Sequence, residues 1–139
     1  AIGICRAENW PGFRGPSGQG ISTETHAPLH WSLEQNLKWK TEIPSLGWSS
    51  PVVWGDRVFV TATSAQGDSC HVICVDKKAG GVLWDIQVFT QTPSRKEGKN
   101  SYATPTPVTD GKRVYVFFSA GGGAAVAARH PCTEVGVER

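Results

Sequence analysis

Ten consecutive residues of this chain recur in recognisable form further along it. Pro51-Val52-Val53-Trp54-Gly55-Asp56-Arg57-Val58-Phe59-Val60 aligns without gaps on Pro107-Val108-Thr109-Asp110-Gly111-Lys112-Arg113-Val114-Tyr115-Val116, 56 positions later. Six positions are identical, and Phe59 faces Tyr115. Each copy reads as strand, Gly-containing turn, strand, which is a β-hairpin signature. A unit repeated at such a period cannot hide its apolar faces alone. The chain is therefore restricted to architectures in which like units stack on one another.

A second echo extends the unit. Leu37-Lys38-Trp39-Lys40-Thr41-Glu42-Ile43 corresponds to Val82-Leu83-Trp84-Asp85-Ile86-Gln87-Val88, with the tryptophans 45 positions apart. The two offsets differ because of the stretch from Thr90 to Asn100. It is polar, rich in turn residues and without hydrophobic period, and reads as an inserted loop. Between the echoes lie four candidate strands: Pro51 to Trp54, Arg57 to Thr63, His71 to Val75 and Val82 to Val88. The runs Val58-Phe59-Val60, Val72-Ile73-Cys74-Val75 and Val114-Tyr115-Val116-Phe117-Phe118 are apolar on both faces, which predicts sheets covered on both sides. A buried parallel sheet would need crossover helices, and no segment carries an amphipathic 3.6-residue period. The expected fold class is all-β, with 16 Gly and 9 Pro supplying the turns.

The register weakens after Gly121-Gly122-Gly123. An offset of 56 would put Pro131 in the third strand of the second unit, Cys132 at the place of Asp76 and Gly136 at that of Gly80. The partner of Trp84 would then fall just past Arg139, so the second unit is expected to be incomplete. The tail from about Ala124 reads as a diverged strand, an artificial end or a shifted reading frame.

Several function classes are disfavoured at this level. Fourteen basic and twelve acidic residues leave a net charge of +2, too little for a phosphate-backbone footprint, so no nucleic-acid partner is expected. No stretch approaches the ~20 apolar residues of a transmembrane helix. The chain has no Met, and Ala1-Ile2-Gly3-Ile4-Cys5-Arg6-Ala7 looks like the end of a signal peptide cleaved after Ala7. Export to the periplasm or cell envelope is the resulting expectation. A lipid anchor at Cys5 is disfavoured by the bulky Ile4. Cys70 and Cys74 would share one face of a strand roughly 13 Å apart, too far for a disulfide or a shared metal ion. They read as small buried hydrophobes.

The stretch Val75-Asp76-Lys77-Lys78-Ala79-Gly80-Gly81-Val82-Leu83-Trp84 resembles the signature of PQQ-like (pyrroloquinoline-quinone-like) β-propeller repeats. In those repeats an Asp, a Thr-Gly pair and a Trp recur at this spacing. Asp76, Gly80 and Trp84 match, whereas Ala79 stands where Thr is usual and Gly81 where a polar residue is usual. Asn9-Trp10-Pro11-Gly12-Phe13-Arg14-Gly15-Pro16 and Gly47-Trp48-Ser49-Ser50-Pro51 also resemble segments of this superfamily. The resemblance implies a propeller fragment of about two four-stranded antiparallel blades. Residues 1–7 would be the signal remnant, 8–36 a lead-in and 37–139 the partial propeller. Blade one would span about 48–88 and incomplete blade two about 101–139. Asp76 would accept turn N–H bonds, Gly80 would take positive φ, and Trp84 would lay its ring against the next blade.

Quinoprotein dehydrogenases of this superfamily clamp PQQ between a Trp and a disulfide of adjacent cysteines, with calcium alongside. No such cysteine pair occurs, and no catalytic, cofactor-binding or metal-binding residue is assigned. Trp10 and Trp31 read as lead-in residues, and Trp39, Trp54 and Trp84 as strand or docking residues. His26 and His30 flank Pro28, which argues against a helical metal pair. Arg95, Lys96 and Lys99 read as a solvated basic loop. Trp48, Ser49, Asn100, Ser101 and Tyr102 precede the two hairpins at equivalent places and form the candidate ligand- or partner-facing loop. The expected function is a noncatalytic exported scaffold that binds a protein partner, as in BamB-type assembly factors, with further blades needed for closure. The alternative is a fragment of a PQQ- and calcium-dependent dehydrogenase whose active site lies in blades outside this chain.

Overall fold

A computed structural model describes residues 8–93, 95–118, 124–129 and 135–138. Among them every regular element is a β-strand: β1 Val52–Trp54, β2 Arg57–Thr63, β3 Ser69–Asp76, β4 Val82–Thr90, β5 Val108–Thr109, β6 Arg113–Phe118, β7 Ala124–Arg129 and β8 Val135–Glu138. They form two four-stranded sheets, ordered β1-β2-β3-β4 and β5-β6-β7-β8, with every neighbouring pair antiparallel. Each sheet is a meander in chain order and remains open. The all-β expectation holds, and no helix among the described residues is long and apolar enough to cross a membrane.

The repeated decapeptide forms the first hairpin of each sheet. In β1–β2, Trp54 pairs with Arg57 around a two-residue loop whose Gly55 has φ of 57°. In β5–β6, Thr109 pairs with Val114, and Gly111 takes φ of 84° at the corresponding place. Positive φ costs glycine nothing, which is why both copies keep it. The sheets pack face to face. Val52, Phe59, Cys70, Val72 and Cys74 on the first meet Val114, Val116 and Phe118 on the second in one core. Phe89 of β4 and Phe118 of β6 are edge to face, with centroids 5.4 Å apart.

The opposite face of the first sheet carries Ala62, Ile73 and Val75. Trp39 and Ile43 from the preceding segment cover it. That segment forms no strand but is held in place: Trp39 Nε1 donates to Lys77 O at 2.8 Å, and the Thr41 hydroxyl donates to Gly80 O. Further upstream, Trp10 pairs with Val53, and Thr109 N donates to Pro11 O at 2.9 Å. The lead-in thus ties the first strands of both sheets together.

Several expectations need correction. The third strand runs Ser69–Asp76 rather than His71 to Val75, and the fourth continues to Thr90, because Ser69 and Cys70 pair with Thr90 and Phe89 across a register shift. The second sheet departs from the 56-residue offset. Gly136 lies within β8 rather than in a turn like that of Gly80. Coverage of both faces holds for β3, whereas β6 alternates: Val114, Val116 and Phe118 are buried, and Tyr115 and Phe117 are exposed. Residues 1–7, with the expected cleavage point and Cys5, lie outside the described residues, as do Gly121 to Gly123, Pro131 and Cys132.

Candidate functional site

The segment leading into β1 must approach β2 closely. A Cβ on Gly47 would stand 2.4 Å from Thr61 O, so glycine is required there for the backbone to pass. Leu46 pairs with Thr63 on one side of that passage, and Trp48 N donates to Ala103 O at 3.1 Å on the other. Trp48 is therefore pinned by its backbone while its side chain stays 59% exposed. The segment leading into β5 is shaped by a turn in which Ser101 N donates to Thr104 Oγ1 at 2.9 Å and Ala103 N to Ser101 Oγ at 3.2 Å. These two leading segments touch at repeat-equivalent positions, Ser50 N donating to Thr106 Oγ1 at 3.1 Å.

Between them opens a cavity of about 250 Å³ lined by Leu46, Trp48, Thr63, Ser64, Ala65, Lys96, Asn100, Ser101 and Tyr102. Four of the five residues singled out from the sequence thus share one concavity. The fifth, Ser49, is turned to the edge of β2, where its Oγ donates to Thr61 O at 3.3 Å and accepts from Thr61 N at 3.1 Å. It prolongs the β1–β2 pairing instead of lining the opening. Tyr102 lies over the β2–β3 turn: a Cβ on Gly67 would come within 2.1 Å of its ring. Lys96 Nζ sits 5.6 Å from the centre of the same ring, within cation–π range.

Lys96, read from the sequence as part of a solvated basic loop, also lines the site; Leu46, Thr63, Ser64 and Ala65 have no place among the residues singled out from the sequence. They arrive through the Leu46–Thr63 bridge and the β2–β3 turn, non-local contacts that leave no periodic trace in sequence. Ser64 organises that turn: its Oγ accepts from the backbone N–H groups of Gly67, Asp68 and Ser69 at 3.1, 3.1 and 3.2 Å. Its hydroxyl donates to Asp68 and, with the backbone N–H groups of Asp68 and Ser69, holds that carboxyl below the ordinary carboxylate range.

The signature residues are grouped at the other end of the first sheet. Asp76 Oδ1 accepts from Lys78 N and Ala79 N, each at 2.7 Å, and Gly80 has φ of 78°. Those roles match the expectation for Asp76 and Gly80. Trp84 packs against the core that the two sheets share, its ring meeting Phe59 5.9 Å away at a tilt of 42°. The indole lying on the turn is that of Trp39, whose ring would be 2.6 Å from a Cβ on Gly80.

A further array has no counterpart among the sequence motifs. Ser69 Oγ lies 2.6 Å from His71 Nε2, and His71 Nδ1 lies 2.8 Å from Asp85 Oδ1. Ser, His and Asp in this order are the parts of an acyl-transfer triad. Such a triad also needs N–H donors for the developing oxyanion. Those nearest in sequence, on Gly67, Asp68 and Ser69, are already taken by Ser64 Oγ, and the Asp68 carboxylate adds negative charge beside Ser69. The array is better suited to joining β3 to β4 than to catalysis. Among the described residues no group of three His, Cys, Asp or Glu side chains is placed to hold a metal ion. Compared with known proteins, the chain matches no family model and no curated sequence.

Proposed function

We propose that this chain is part of an exported PQQ-like β-propeller that acts as a noncatalytic binding or assembly scaffold for another protein. The observation that carries the reading is an asymmetry between repeat-equivalent residues. Val52, Phe59 and Thr61 on the first sheet are buried. Their equivalents 56 positions later, Val108, Tyr115 and Phe117, are 51%, 40% and 49% exposed. The first sheet's Phe59 face is covered by the second sheet, so the second sheet's Tyr115 face is where a third like unit would stack. Propellers use typically 4 to 8 such units. Under this reading the cavity between the segments leading into β1 and β5 lies on the mouth of the propeller, where a partner would dock.

The quinoprotein alternative gains no support from the residues present, since Cys70 and Cys74 are separate thiols and the sequence has no adjacent pair. Two experiments test the proposal. A density map of the protein in its native assembly should place Tyr115 and Phe117 beneath a further four-stranded sheet; finding them facing solvent there would remove the propeller. Adding PQQ and calcium should elicit no alcohol- or sugar-dependent dye reduction, and activity would overturn the noncatalytic reading.

A further inference from the structure

The cavity between the segments leading into β1 and β5 has a definite chemistry, and resting on the scaffold reading it names the kind of segment that reading would bind. Its volume of about 250 Å³ falls below the about 300–1,000 Å³ of small-molecule sites, leaving room for roughly one large side chain. Its walls are mainly apolar, from Leu46, Trp48 and Tyr102. Leu46 and Trp48, 57% and 59% exposed, present apolar surface at the opening. The serine and threonine hydroxyls in the wall are already engaged: Ser64 Oγ with the turn N–H groups, Ser101 Oγ with Ala103 N, and Thr63 Oγ1 with Leu46 O at 3.4 Å. A sugar, which needs many polar partners, is poorly served by such a wall. Lys96 is the one charged residue lining the cavity, and its loop carries Arg95 and Lys99, so three cations stand against two acids nearby, Glu97 of the loop and Asp68 on the Ser64 hydroxyl, a small positive excess.

We propose that this cavity binds an acidic segment of a partner protein, taking one large aromatic or aliphatic side chain between Leu46, Trp48 and Tyr102 while flanking carboxylates meet Lys96 and Lys99. The apolar anchor supplies affinity, and the charged rim supplies encounter rate and the choice of partner.

The test uses the whole chain and a fluorescein-labelled peptide Glu-Asp-Trp-Asp-Glu, followed by fluorescence anisotropy. Binding should be saturable and weaken as salt is raised. Replacing the peptide's Trp by Ala, or its acids by Lys, should weaken it at least about tenfold, the effect of roughly 1.4 kcal/mol. Trp48→Ala and Lys96→Glu should each do the same; Lys96 is exposed, so the second variant keeps the fold even where the first does not. Parental affinity in Lys96→Glu, equal binding of the Ala peptide, or no binding at all overturns the inference. If the third-sheet test succeeds and the peptide fails, only this ligand assignment is lost. If the peptide binds and the third sheet is missing, the site survives without the propeller.

Discussion

Asp76 and Gly80 do their work in one tight turn, and their chemistry makes that turn sensitive to acid and to side-chain bulk. The N–H groups of Ala79 and Lys78 hold the Asp76 carboxyl below its ordinary value. A carboxyl depressed on folding stabilises the folded state above its unfolded pKa, and the contribution disappears as pH falls through the lower folded value. Acidification below the ordinary carboxylate range should therefore lower the hydrogen-exchange protection factors of the Lys78 and Ala79 amides, and Asp76→Ala should abolish that response. Asp110 repeats the device in the second sheet, its carboxyl lowered by the N–H groups of Arg113 and Lys112. Gly80→Ala meets two obstacles, the positive φ and the Trp39 ring. It should cost more than about 1 kcal/mol, read as a lowered denaturation midpoint at unchanged slope. Cys70 shows the opposite dependence on environment. Burial, then the charge of Asp68, pushes its thiol up to about 12, so it should resist a thiol reagent in the folded chain and react once denaturant is added.

At the scale of strands, legibility in the sequence depends on how sharply each boundary is punctuated. β2 falls at Arg57–Thr63 as expected because Gly55-Asp56 opens it and the Ser64 turn closes it. β3 begins earlier than its apolar run because Ser69 and Cys70, small residues after Gly67-Asp68, look like turn in sequence and become strand only by pairing with β4. The cavity shows the same limit. Trp48, Asn100, Ser101 and Tyr102 are legible through their repeat-equivalent positions, whereas Thr63, Ser64 and Ala65 reach it through folding of the β2–β3 hairpin. The Ser69–His71–Asp85 array needs both the alternation along β3 and the strand register, and only the first is visible in sequence. Phe59 links these elements, packing on Trp84 and on the second sheet. Phe59→Ala should cost about 3–5 kcal/mol, measured by chemical denaturation, as for other large aromatic truncations in a core.

For the molecule as a whole, the offset of 56 makes positions 59 and 115 the same place in two consecutive units, yet one is fully buried and the other 40% exposed. The two sheets stack in parallel order, β1 alongside β5 and β4 alongside β8. The stack is thus directional: one face of each sheet meets the opposite face of the next, and Trp39 and Ile43, from the segment that precedes β1, occupy the face at one end. The other end presents Val108, Tyr115 and Phe117. In this chain alone those side chains should bind a hydrophobic dye and promote association, because apolar surface and open edges together invite pairing. Substituting Tyr115→Glu with Phe117→Glu should suppress dye binding and concentration-dependent light scattering at a modest cost in stability, about 1 kcal/mol for the lost Tyr115–Asp110 hydrogen bond and no more than about 0.5 kcal/mol at Phe117. Phe59→Glu, the same chemistry at the equivalent position one unit earlier, should unfold the chain, because it buries an unpaired charge between the sheets. If the double variant unfolded as readily as Phe59→Glu, the Tyr115 face would already be covered within this chain, and no place would remain on it for a third sheet.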